Sequence, residues 1–236
     1  MSEKRITLQR PIKGKMPLEI EVAVHPYSNG VIVVNYPGIT GNIDGYNNKY
    51  CQLADFLQER GLGTVVRMGN ELIEDLPYPK GMIDNFKYVV EHCLAHGEQL
   101  SGKQNPTLYL MGFSAGASTI AAVAGDYSEV DKILLMAPSG DAGQSAVEKG
   151  LGKFKGEVYV AVGARDEVVG PEAGKTFYDL ATPAKVRKLV VIPNCDHQFK
   201  GEINGRIMSK APLWAFAGDT TFPSPKGGKT LSLRSI

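Results

Sequence analysis

The sequence predicts an α/β domain: a mostly parallel sheet with helices packed on both faces. Three observations carry that expectation. Short runs rich in Val, Ile and Leu alternate with segments of helical periodicity along most of the chain. Several runs, VIVVN at 31–35 and KLVVI at 188–192 among them, are almost continuously apolar, as strands covered on both faces are. No repeat, low-complexity stretch or linker divides the 236 residues, a length within reach of one large domain.

Taken in order, residues 6–10 and 18–25 read as two antiparallel strands separated by the breaker-rich stretch 11–17. After the Ser28-Asn29-Gly30 turn, the strand at 31–35 runs into the glycine-bearing loop Tyr36-Pro37-Gly38-Ile39-Thr40-Gly41. Residues 49–60 put Leu53, Phe56 and Leu57 on one helical face, and Gly61 and Gly63 close that helix. A strand at 64–68, a helix at 81–96 and a strand at 107–111 follow, the last leading into a small-residue helix at 115–124. Strands at 132–137, 157–162 and 186–192 enclose helical segments near 141–149 and 171–180, and a final helix spans 204–216. Residues 1–218 are thus expected to form one domain. Residues 219–236, rich in Pro, Gly, Ser and Lys, are expected to be loose or draped on its surface.

Composition narrows the function classes. With 26 Lys+Arg against 25 Asp+Glu, a formal charge of +1 offers no electrostatic reason to bind nucleic acid or an anionic membrane. Three cysteines, none in C-x-x-C, argue against a disulfide framework and a cysteine-based zinc site. Residues 1–16 are polar and charged, and no apolar run approaches the ~20 residues a membrane helix needs. A soluble, cytoplasmic protein is the expectation, with its oligomeric state left open.

Gly112-Phe113-Ser114-Ala115-Gly116 carries the most information. It fits G-x-S-x-G, directly follows the strand TLYLM and opens the helix ASTIAAVA. A serine pushed out on so sharp a turn needs small neighbours two residues to either side, so that strand and helix can approach. The bland alternative is a small-residue turn without chemistry.

A serine hydroxyl needs a base, and the base needs an orienting acid. Asp166 follows the strand EVYVAV and His197 follows KLVVIP, so both fall in loops at the C-terminal ends of strands, where parallel strands bring them beside Ser114. Glu167 and Asp141 compete with Asp166 for the acid's place. Asp196 suits turn formation, and Cys195 suits packing. His92 and His96 stand i, i+4 on one helix, but H-C-L-A-H lacks the glutamate of H-E-x-x-H and no third ligand is evident, so no metal site is assigned. The Ala115 N–H, at a helix N-terminus, suits one of the two donors an oxyanion requires.

Over residues 5–217 the chain resembles the α/β-hydrolase superfamily: the Ser114 elbow, PGITG, GARDEVV and NCDHQF fall in family order. It is most similar to compact, capless hydrolases with RDEVVP and ADHFF motifs, departing from them at Gly170 and Gln198. The resemblance implies an eight-stranded sheet with its second strand antiparallel, an acyl-serine intermediate and no cofactor. It also places the second oxyanion donor in Pro37-Gly38-Ile39, at Ile39 N–H first and Gly38 second.

Only a short helix fits between 137 and 156, which excludes a large cap. A shallow pocket is therefore expected, lined by Tyr36, Gly38, Ile39, 42–46, 68–72 with Met68 first, Phe113, 138–141, Val168 and Val169. The expected reaction is serine-dependent hydrolysis of a small-molecule ester with a short or medium acyl chain. Thioesterase, amidase, peptidase and acyltransferase chemistry share the same residues. A binding protein on this fold is the rival from another class.

Overall fold

The computed structural model describes residues 3–70 and 78–231. Among these, the strands are β1 (Lys4–Arg10), β2 (Leu18–His25), β3 (Val31–Tyr36), β4 (Thr64–Met68), β5 (Thr107–Phe113), β6 (Val130–Met136), β7 (Glu157–Gly163) and β8 (Val186–Ile192). The helices are α1 (Lys49–Glu59), α2 (Lys80–Ala95), α3 (Gly97–Ser101), α4 (Ala115–Val123), α5 (Gln144–Leu151), α6 (Pro171–Leu180) and α7 (Glu202–Ala217).

The strands form one sheet in the order β1-β2-β4-β3-β5-β6-β7-β8. β2 runs antiparallel to both β1 and β4, and the remaining pairs are parallel. The apolar runs are continuous because both faces are covered. On one face, Phe86 and Val90 of α2 and Ile120 of α4 join Ile32, Val34 and Leu110 in one core. On the other, Leu53 and Leu57 of α1 and Met208 and Trp214 of α7 join Val33, Val65, Met111 and Leu134 in a second.

Two elements depart from the sequence expectation, each at a glycine. α5 starts at Gln144 rather than near 141 because residues 140–143 close a turn, with Gly143 N–H donating to Gly140 O at 3.0 Å and Gly143 at φ 86°. The expected 81–96 helix ends at Ala95, and α3 continues after a break at His96. Gly97 there presses on Pro106 so closely that a Cβ would sit 2.4 Å from its ring. Residues 219–231 pack on α7, where Phe222 stacks on Trp214 with ring centroids 4.6 Å apart. Residues 232–236 of the expected tail lie outside the described residues. No helix among the described residues is long and apolar enough to cross a membrane.

Parallel strands end at a common edge, so the loops after β3, β5, β6, β7 and β8 gather there. Between β6 and β7 the only helix is α5, and no inserted layer covers that edge among the described residues.

Candidate active site

Ser114 stands between β5 and α4 at φ 53°, ψ −118°, a conformation that side-chain sterics disfavour. Its neighbours make the turn possible. A Cβ on Gly116 would lie 2.3 Å from the carbonyl oxygen of Tyr36 and 2.4 Å from that of Pro37, and one on Gly112 would lie 2.7 Å from Ala117 N. The elbow is thus wedged under the loop that follows β3. Ser114 N–H donates to Met136 O at 2.9 Å, tying it to the end of β6.

Two interlocked loops bring acid and base to the serine. Gly163, at the end of β7, approaches Cys195 so closely that a Cβ would lie 2.2 Å from its carbonyl oxygen. Ala164 N–H and Arg165 N–H donate to Ile192 O and Cys195 O, each at 2.9 Å. This clasp sets Asp166 against His197. Nδ1–H of His197 donates to Asp166 Oδ2 at 2.8 Å, while Nε2 accepts from Ser114 Oγ at 3.2 Å. The other carboxylate oxygen, Asp166 Oδ1, accepts from Val168 N–H at 2.9 Å and Val169 N–H at 3.0 Å. All three side chains are buried, so their mutual hydrogen bonds are little diluted by water.

The other acids are engaged elsewhere. Asp141 accepts from Ser139 Oγ at 2.5 Å and also hydrogen-bonds Tyr78. Glu167 is exposed, and Asp196 accepts from Lys200 N–H at 2.9 Å within its own turn. Cys195 is buried, and desolvation, with Asp196 and Asp166 nearby, pushes its thiol up to about 12. His92 and His96 stack on each other with ring centroids 4.1 Å apart, and no acidic or cysteine ligand joins them among the described residues.

Gly38 abuts the serine: a Cβ there would lie 3.2 Å from Ser114 Cβ and 3.3 Å from the Phe113 ring. The loop is pinned through Asn70, whose carbonyl accepts from Thr40 N–H at 2.9 Å and whose side chain donates to Pro37 O at 3.2 Å. Ile39 N–H and Ala115 N–H have no acceptor among the described residues. Of the expected pocket residues, Phe113 is buried with its ring 5.1 Å from that of His197, and Val168 is 70% exposed. Tyr36 and Met68 are each 1% exposed. The little surface they show faces a cavity of about 120 Å³ shared with Leu18, Ile20, Asn70 and Asn85. Glu71 and Leu72 of the expected segment 68–72 lie outside the described residues.

Two further groups escaped the sequence reading. Lys49, at the start of α1, places its ammonium 5.3 Å from the centroid of Phe113. A lysine at a helix N-terminus opposes the macrodipole, and that anomaly was legible locally. Arg67, fully buried on β4, donates to Ile43 O at 2.6 Å, Asp44 Oδ1 at 2.9 Å, His25 Nε2 at 3.1 Å and a carboxylate oxygen of Glu3. Glu3, His25 and Cys51 hold donor atoms within 4.8 Å of one another. Arg67 takes up the lone pairs on two of them and adds its own positive charge, which disfavours a cation there.

No protein-family model matches this sequence, and no curated protein matches it. Among solved structures the chain is similar to an α/β serine hydrolase homologue from Coxiella burnetii, at 23% identity and TM-score 0.64 over 84% of this chain and 91% of that one. It is also similar to an α/β serine hydrolase without a lid from Xanthomonas campestris, at 22% identity and TM-score 0.61 over 83% and 85% of the two chains. An esterase from Pyrococcus furiosus superposes at TM-score 0.66 with 14% identity, over 91% of this chain and 93% of that one. Likeness at these identities carries the fold, and with the sheet order described above it gives a compact α/β-hydrolase fold with no large cap among the described residues.

Proposed function

We propose that the protein is a serine hydrolase that cleaves small carboxylic esters through an acyl-serine intermediate. The observation that carries this reading is the unbroken relay from Asp166 through His197 to Ser114, set on a strained elbow at the sheet edge where the loops gather. The esterases among the similar structures support it.

In this mechanism Ser114 Oγ gives its proton to His197 Nε2 as it attacks the ester carbonyl. Asp166 holds the imidazole in the tautomer with Nδ1–H and stabilises the imidazolium that forms. Charge collects on the carbonyl oxygen, where the N–H groups of Ala115 and Ile39 are the proposed donors, each worth roughly 10²–10³ in rate. The carbon–oxygen bond to the alcohol breaks as Nε2 returns the proton to it, leaving the acyl group on Ser114. Water deprotonated by the same nitrogen then releases the acid and restores the serine. Exposed Ile39, Tyr78 and Val168 offer apolar surface for short acyl or alkyl groups. The reading requires no cofactor.

The test is intact mass after treatment with a fluorophosphonate, beside p-nitrophenyl acetate turnover by the wild type and Ser114→Ala. A single adduct that the variant lacks is expected, with turnover falling roughly 10³-fold or more. A folded protein that takes no adduct overturns the reading. Ligand-induced stabilisation without turnover then identifies a binding protein on the same fold.

A further inference from the structure

Lys49 is 7% exposed, yet it has no anionic partner among the described residues. Other buried cations are compensated. Arg67 sits on Glu3 and Asp44, and Lys210 lies 3.0 Å from an Asp219 carboxylate oxygen and 2.5 Å from Thr221 Oγ1. Lys49 has only aromatic faces, with Nζ 5.0 Å from the Tyr50 ring centroid and 5.3 Å from that of Phe113. It also stands at the positive end of α1, whose first turn holds no acidic residue. Burial, dipole and lack of a counter-ion all oppose a charge at this point, and each is relieved by an anion.

Position says whose anion it is. The Phe113 ring beneath Lys49 also lies beside His197 and contacts the loop at Gly38, which itself abuts Ser114. The ammonium is therefore separated from the base by a single ring, that of Phe113. We propose that Lys49 is the counter-ion for the substrate, which is an ester carrying a carboxylate on a short spacer from the scissile carbonyl. The inference rests on the esterase reading and narrows its substrate class. A charge-assisted hydrogen bond in a partly desolvated setting gives a selectivity of about tenfold to a hundredfold.

The experiment compares matched esters with wild type, Lys49→Met and Lys49→Arg. Mono-p-nitrophenyl glutarate is set against p-nitrophenyl pentanoate, placing the carboxylate in the acyl part. Butanoyl glycolate is set against isobutyl butanoate, placing it in the alcohol part. Expected is a wild-type preference in kcat/KM of tenfold or more for the anionic member of one pair, which identifies the side that Lys49 reads. That ratio collapses toward unity in Lys49→Met and is largely retained in Lys49→Arg. Lys49→Gln serves in place of Lys49→Met if the latter does not fold. A wild type that favours the neutral member of both pairs overturns the proposal, as does a preference that survives Lys49→Met or an equal fall on both members. If wild type hydrolyses none of the four, the esterase reading has failed, and calorimetric titration with glutarate decides the subsite alone. Binding lost in Lys49→Met then upholds it, and no binding to wild type overturns it.

Discussion

Two residues hold positions that local energetics oppose: Ser114 in its strained turn and Lys49 in its aromatic pocket. Burial pulls the Lys49 ammonium from its ordinary 10.5 down to about 8. A lysine with a depressed folded-state value binds its proton less tightly than the unfolded chain does. Stability therefore rises with pH between about 8 and 10.5, and below 8 the full penalty applies, on the order of 3 kcal/mol. Lys49→Met is expected to stabilise the protein by on the order of 1–3 kcal/mol at pH 7, a gain that shrinks toward pH 10. Urea unfolding at the two pH values measures this, and an unchanged midpoint at pH 7 counts against an uncompensated charge. At this scale the sequence made Ser114 legible because the elbow's steric demands fall on its immediate neighbours. The burial of Lys49 comes from Tyr50 and Phe113 closing around it, and Phe113 is 64 positions away along the chain.

At the scale of elements, Arg67 joins β4 to β2, to the N-terminal segment and to the loop after β3. Hydrogen bonds to Arg5, with those to Arg67, hold the Asp44 carboxyl below its usual range. His25 is pushed down by burial first and then by Arg67, so the guanidinium faces a neutral imidazole acceptor. Arg67→Met strips the Ile43 carbonyl of its buried donor and leaves Glu3 and Asp44 to Arg5. A loss of roughly 1–3 kcal/mol is expected, read from the shift in the urea midpoint. A shift below about 1 kcal/mol shows that the network relaxes into water. Because Ile43 and Asp44 belong to the loop that carries Ile39, the same anchor steadies the proposed oxyanion donor. The strands were legible from their apolar runs. The start of α5 and the break between α2 and α3 were not, because Gly143 and Gly97 act there through a turn and a distant proline.

For the whole molecule, the sheet separates two cores, and the C-terminal segment completes one of them. Phe222 stacks on Trp214, Leu231 is buried beside that core, and Lys229 N–H donates to Ser209 Oγ at 2.8 Å. Phe222→Ala is expected to cost about 3–4 kcal/mol and to move the emission of the single tryptophan to the red. An unchanged melting temperature and spectrum show that the segment only rests on the surface. Composition alone left open whether the tail is loose or draped on the surface, since Pro, Gly, Ser and Lys dominate it. The aromatic that seats residues 219–231 finds its partner on a different element.

The sequence by itself determined the alternation of strands and helices, the elbow at Ser114, and the presence of an acid and a histidine just past later strands. These follow from periodicity and sterics that act within a few residues. The tertiary structure alone decided that Asp166, not Glu167 or Asp141, meets His197, that Arg67 ties four segments together, and that Lys49 stays buried and unpaired. Those outcomes depend on which distant loops interlock and on which charges lose their water, and no local stretch of sequence contains either.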